Sequence, residues 1–153
     1  MNVGAALLDL LNTSPVVDGH PVEQLDEAWL AAHEVEGVTV DAARRLRDDL
    51  QAVVRDERDA AALNAYVRGV RRIPKLTRDG LDWTTEADWP GRMVLEWGEL
   101  QRELPGRLRP CANDECRQFL IDRSRAGTAR WCSMSGCGNR MKARRHYSRT
   151  RQD

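Results

Sequence analysis

The four cysteines of this 153-residue chain all fall in its last third. They stand as Cys111 and Cys116, then Cys132 and Cys137, with four residues inside each pair and fifteen between the pairs. Two close pairs of thiolates are a tetrahedral donor set for one zinc ion, held at about 2.3 Å from each sulfur. Four sulfur ligands close the coordination sphere and leave no position for water or substrate, so the expected role of the metal is structural. Pairing into two disulfides is the competing use of the same residues and needs an oxidising compartment. An iron–sulfur cluster or a redox-releasable zinc are lesser alternatives. Residues 1–11 lack the positively charged start of a secretion signal, and no apolar run approaches the roughly 20 residues that span a bilayer. The expectation is a cytoplasmic protein with no membrane partner, holding one structural Zn2+.

Bringing the two cysteine pairs together requires a connection that folds back on itself. Residues 118–121 and 129–131 read as two strands, with residues 125–128 as their turn. After the last cysteine, residues 136–151 carry Arg140, Lys142, Arg144, Arg145, Arg149 and Arg151 and no acidic residue, so a helix here presents a continuous cationic surface. Helical spacing puts Arg140, Arg144 and Tyr147 on one face and Lys142, Arg145 and Arg149 on a second. Both faces suit phosphates. Asn139 and Arg140 are the candidates for base edges, because Asn reads adenine and Arg reads guanine in bidentate fashion. Arg123, Arg125 and Arg130 on the predicted hairpin extend the patch, with Asp122 expected to hold one of them in an ion pair. A solvated helix is the plain reading of such a charge run, but solvated faces normally mix both signs.

Charge is divided by segment. Residues 1–108 carry 13 Lys and Arg against 20 Asp and Glu, residues 109–153 carry 11 against 4, and the whole chain is formally neutral. An acidic body with a basic end suits a protein whose end meets a polyanion.

The body, residues 1–107, reads as mostly helical. The apolar residues 7–11 run into Asn12 and Thr13 as either a short helix or a docked strand. Leu25, Ala28, Trp29 and Ala32 share a helical face that Gly37 closes. Thr39 is the predicted N-cap of the strongest helix, with Ala42, Leu46, Leu50, Val53 and Val54 inward and Arg44, Arg45, Arg47, Asp48 and Asp49 outward. Ala62, Tyr66, Val70 and Ile73 suggest another helix, stopped by Pro74 and packed antiparallel to it. Asp79-Gly80 predicts a type I′ hairpin that covers the helices. Asp88-Trp89-Pro90 starts a last helix, with Met93, Trp97, Leu100 and Leu104 inward, and Pro105-Gly106 ends it at the domain boundary. Trp29, Trp83, Trp89 and Trp97 offer a ligand pocket, though side chains at helical spacing are more often core. His20 and His33 have no partner at ligand spacing, and no catalytic constellation is visible. The predicted fold is mostly α: a helical domain with a short β-hairpin, then a four-cysteine zinc module of β-hairpin plus basic helix over residues 108–153.

Read together, Cys111-Ala-Asn-Asp-Glu-Cys116, Phe119, Asp122-Arg-Ser124-Arg, Arg130-Trp-Cys-Ser-Met134, Cys137-Gly-Asn-Arg140 and Lys142-Ala-Arg-Arg145 resemble the CGNR zinc finger family, from Leu108 to Arg149. Leu11-Asn12-Thr13, Trp29-Leu30, residues 46–54 and residues 81–83 resemble the ABATE domain that precedes such fingers. The resemblance implies a bacterial, stress-linked transcription regulator. It further implies zinc ligation by Cys111, Cys116, Cys132 and Cys137, and contact with double-stranded DNA by the following helix. A homodimer formed through the body and a small-molecule effector are the other expected partners, because a single finger covers only a few base pairs. A zinc-stabilised RNA-binding or protein-interaction adaptor is the alternative reading. An enzyme is not expected.

Overall fold

In a computed structural model of the protein, which describes residues 4–151, the N-terminal apolar segment forms helix α1 (Ala5–Leu11). Its Leu7, Leu10 and Leu11 are fully buried. Gly4 sits at φ 87°, and a Cβ there would stand 2.7 Å from Ile121 Cδ1, so the helix starts where only glycine fits against the strand beneath it. A two-rung hairpin follows, β1 (Val16–Val17) and β2 (His20–Pro21). It turns through Asp18 at φ 50° and Gly19 at φ 79°, the pair of positive angles a type I′ turn needs.

Helix α2 (Glu27–Ala32) is capped by Asp26, which accepts from Trp29 N at 2.8 Å. It ends earlier than Gly37, at His33, and Glu34 then takes a φ of 52°. Helix α3 (Val40–Val54) is capped by Thr39 as predicted, and buries Ala43, Leu46, Leu50 and Val53. Helix α4 (Trp89–Glu103) is capped by Asp88, which accepts from Gly91 N at 2.8 Å. It buries Trp89, Met93, Val94 and Leu100, while Trp29 and Trp97 pack half-buried at the edge of the core.

Three expectations for the body need correction. Residues 60–67 wind as a 3₁₀ helix (Ala60–Val67) and do not continue to Pro74. Gly69 favours a break, and Ile73 belongs to strand β3 (Arg71–Thr77), whose antiparallel partner is β4 (Gly80–Glu86). Pro74 is tolerated because the ladder has only two strands and its nitrogen faces outward from it. The turn lies at Arg78-Asp79, with Thr77 opposite Gly80, and the positive φ falls on Gly80 alone at 125°. Every residue of both strands is exposed, so this hairpin projects and does not cover the helices.

The third correction is Arg47, which is 4% exposed. Its NH1 and NH2 donate to the two Glu23 carboxylate oxygens at 2.5 and 2.8 Å, and NH1 also reaches Thr13 Oγ1 at 3.2 Å. One turn on, Gln51 Nε2 donates to Leu11 O at 2.8 Å. Two buried polar side chains of α3 thereby tie down the end of α1. Burial raises the Glu23 carboxyl, but the bonds from Arg47 and Leu25 N and the charge of Arg44 outweigh it and hold the group below its ordinary 4.5. The stabilisation is therefore whole above about pH 4.5 and is lost as pH falls through the lower folded value. We expect Glu23→Gln to lose about 1–2 kcal/mol at neutral pH, discounted for a Glu23 side chain that is 36% exposed. Its urea-unfolding midpoint should also fall less steeply with acid than the wild type's. Parallel acid limbs would show that the pair carries none of the pH dependence.

Candidate metal centre and nucleic-acid interface

Strands β5 (Leu108–Pro110) and β6 (Phe119–Ile121) pair antiparallel, Leu108 opposite Ile121. Cys111 directly follows β5 and Cys116 lies shortly before β6, so this ladder closes the first cysteine pair into a knuckle. The predicted partner of residues 118–121 was the segment 129–131, which is not a strand. Single hydrogen bonds take its place: Ala129 N donates to Asp122 Oδ2 at 3.0 Å, and Arg130 O accepts from Ala112 N at 2.8 Å. The turn expected at residues 125–128 lies one residue earlier, closed by Gly127 N on Ser124 O at 3.2 Å. Cys137 sits in one turn of π-helix (Met134–Gly138) that runs straight into helix α5 (Asn139–Thr150). Gly138 packs tightly there, since a Cβ would meet Met134 Sδ at 2.9 Å and Trp131 Cδ1 at 3.2 Å.

The four Sγ atoms lie within 4.8 Å of one another. Cys116 and Cys132 are 3.7 Å apart, and Cys132 and Cys137 3.6 Å. A tetrahedron of zinc–sulfur bonds has sulfur–sulfur edges of about 3.8 Å, against about 2.05 Å for a disulfide. All four cysteines are free, and their spacing fits one structural zinc ion. Donors already aim at the sulfurs: Asn113 Nδ2 at Cys137 Sγ and Cys132 N at Cys111 Sγ, both at 3.4 Å. Burial pushes the Cys116 thiol up to about 11 and raises Cys132 further, whereas the bond from Asn113 and the neighbouring thiols bring Cys137 net down despite its burial. Burial favours the protonated thiols of Cys116 and Cys132, and a bound divalent ion is what would hold these two as thiolates.

Asp122, 1% exposed, organises the loop that leads to the second pair. Its carboxylate accepts from Ser124 Oγ at 2.6 Å, Ser124 N at 2.9 Å and Arg109 NH2 at 2.7 Å, with Arg107 at 3.7 Å. The Ser124 bonds first, then that from Ala129 N and the charge of Arg107, hold its pKa below the ordinary value against its burial. The ion pair expected with Arg123, Arg125 or Arg130 is thus made with arginines of the β5 side. Asn113 and Arg109 were not singled out in the sequence. A polar residue between two close cysteines was the available signal for Asn113, while nothing local marks Arg109.

Every candidate for nucleic-acid contact is exposed: Arg123, Arg125 and Arg130 on the loop and Asn139, Arg140, Lys142, Arg144, Arg145 and Arg149 on α5. Helix α5 has no buried residue. Arg144 turns back to Glu115 on the knuckle at 2.5 Å, and Arg130 lies over the Trp131 ring at 5.3 Å. Arg140 shares a cleft with Cys116, Cys132 and Cys137. Lys142, Arg145 and Arg149 fall on the opposite side of α5 and, among the described residues, make no ion pair.

A helical body that continues into a four-cysteine metal centre and a cationic helix defines a protein of the zinc-finger class. Residues 107–150 match the CGNR zinc finger, and residues 4–114 match ABATE, described as "Putative stress-induced transcription regulator". The second match covers well over half of the chain, which belongs to the ABATE family. No curated protein matches it.

Proposed function

We propose that the protein is a DNA-binding transcription regulator in which residues 108–153 contact duplex DNA and residues 1–107 sense a small molecule or dimerise, in the reducing cytoplasm. The observation that carries this reading is α5, a helix with no buried residue in a stretch, residues 136–151, of six cations and no acid, pinned at its start by the Cys137 ligand. Lys142, Arg145 and Arg149 grip phosphates, Asn139 and Arg140 are offered to base edges, and Arg123, Arg125 and Arg130 extend the track. Arg144 contributes less, because Glu115 already pairs with it.

Binding of zinc-loaded protein to duplex DNA should weaken about a thousandfold between roughly 50 and 200 mM salt, the slope expected for about six phosphate contacts. Arg145→Ala should lower that slope by about one contact, while Arg140→Ala should cost about 1–3 kcal/mol and relax sequence preference. Salt-insensitive binding contradicts the reading. Tyr147, 69% exposed among these arginines, is a stacking platform for an unpaired base. Single-stranded RNA that outcompetes duplex DNA would therefore move the assignment to an RNA-binding adaptor.

A further inference from the structure

We propose that the β3–β4 hairpin is a docking surface for a second copy of this chain, the two hairpins lying face to face and antiparallel about a two-fold axis. The rungs of the ladder sort its side chains onto two unlike faces. On one, Arg71 stands opposite Glu86, Ile73 opposite Thr84 and Lys75 opposite Asp82, so charge is matched across the strands. On the other, Pro74 stands opposite Trp83 and Leu76 opposite Leu81, with Arg72 and Thr85 at the base. Leu76 is 85% exposed, Leu81 59% and Trp83 46%, and among the described residues none of the three packs against the core. A two-stranded ribbon that turns an apolar face to water is marginal by itself, so the face calls for cover from outside its own chain.

The edges of the ribbon are blunted. Pro74 offers no N–H on the outer edge of β3, and on β4 the Trp83 N–H is taken by Asp82 Oδ1 at 2.8 Å. Docking is therefore by the apolar face. Its one cation, Arg72, lies over the Trp83 ring at 5.0 Å, so the face offers little charge to a polyanion or an acidic peptide.

What the face fits is itself. Arg72 and Thr85 lead from its base into a cleft lined by the half-buried Val70 and Leu95, with Glu99 and Arg102 exposed beside it. An antiparallel two-fold stack sets the Pro74–Trp83 rungs against each other and brings the Leu76–Leu81 tip of each copy to that apolar cleft of the other. Charges at the ends match as well. The turn carries Arg78 and Asp79 up to Glu99 and Arg102 of the partner subunit, one carboxylate and one guanidinium on each side. The patch thus holds both halves of its own contact, as a two-fold interface requires. Two seven-residue strands fall short of the roughly 20–30 residues a side of a standard interface, so dissociation in the micromolar range is expected. The inference rests on the dimerising role proposed above for the body. It is tested without DNA, so its failure and the failure of DNA binding are separable.

The experiment is sedimentation velocity of the full zinc-loaded chain from about 1 to about 300 μM, a range that brackets micromolar dissociation. The weight-average mass should rise from one chain of 17.4 kDa towards two. Leu81→Glu and Leu76→Lys should each hold the protein at one chain throughout, with zinc content and helix content unchanged because neither side chain belongs to the core. Ile73→Gln, on the charge-matched face, should associate as the wild type does. Arg78→Glu and Glu99→Arg should each weaken the dimer several-fold, and the double variant should recover most of that loss, each reversed charge then meeting a reversed partner. A wild type that stays at one chain to the highest concentration overturns the proposal. A dimer that survives both leucine substitutions has its interface elsewhere and overturns it equally, and charge reversals without recovery in the double variant overturn the antiparallel arrangement.

Discussion

Chelating the zinc is expected to unfold residues 111–118 and 122–150 and to lower the melting temperature of the helical body. The argument is one of missing alternatives. Between Cys111 and the end of α5, the buried hydrophobic side chains are Cys111, Phe119, Leu120 and Cys137, and two of these are metal ligands. Helix α5 has twelve residues, no buried face and several cations with no acid among them, and a helix of that length is marginal in water even without self-repulsion. Metal binding therefore supplies most of the folding free energy of this segment, on the order of 10 kcal/mol. Helix content should fall by about the twelve residues of α5, and the near-ultraviolet signal of Trp131, packed beside Gly138, should flatten. Cys137→Ser should reproduce much of this in the presence of zinc. Retained hydrogen-exchange protection in α5 after complete zinc removal would show that something other than the metal holds the helix.

What the sequence revealed and what it hid divide by distance along the chain. Cysteine spacing, the Thr39 cap, the helix start at Asp88-Trp89-Pro90, the α3 and α4 stripes and the cationic run after Cys137 depend on neighbours within a turn or a short loop. These were legible. The partner of β6 was not, because β5 is three residues long, ends in proline and shows no alternation, whereas residues 129–131 had better strand composition. Arg47 looked outward on a helical wheel because Glu23, the partner that makes its burial tolerable, lies 24 residues away. Ile73 fitted a helical stripe through Ala62, Tyr66 and Val70 by coincidence of spacing, and the cross-strand pairing with Thr84 decided otherwise. In the site, the four ligands were readable, while the side chains that orient them, Asn113 on Cys137 and the Asp122–Arg109 clamp, depend on contacts 13 to 24 residues apart.

Phe119→Ala is expected to remove about 3–5 kcal/mol of stability, the range for a fully buried aromatic ring, and to lower the melting temperature on the order of 10 °C. The side chain is 1% exposed and belongs to the same core as Leu7, Leu46 and Leu50, although it stands in the strand next to the zinc knuckle. Asn12 reinforces the junction as a stand-in strand: its Oδ1 accepts from Phe119 N at 2.7 Å, and its Nδ2 donates to Phe119 O at 3.2 Å. Arg55 covers the ring from the other side at 4.4 Å. Body and finger thus share one core through this residue, and the wild-type protein should melt in a single transition. The variant should still bind one zinc ion, because the knuckle bonds to the sulfurs do not involve the ring. Two separated transitions in the wild type, or a variant that melts within about 2 °C of it, would show that the finger folds independently of the body, a ring this buried being worth several such degrees.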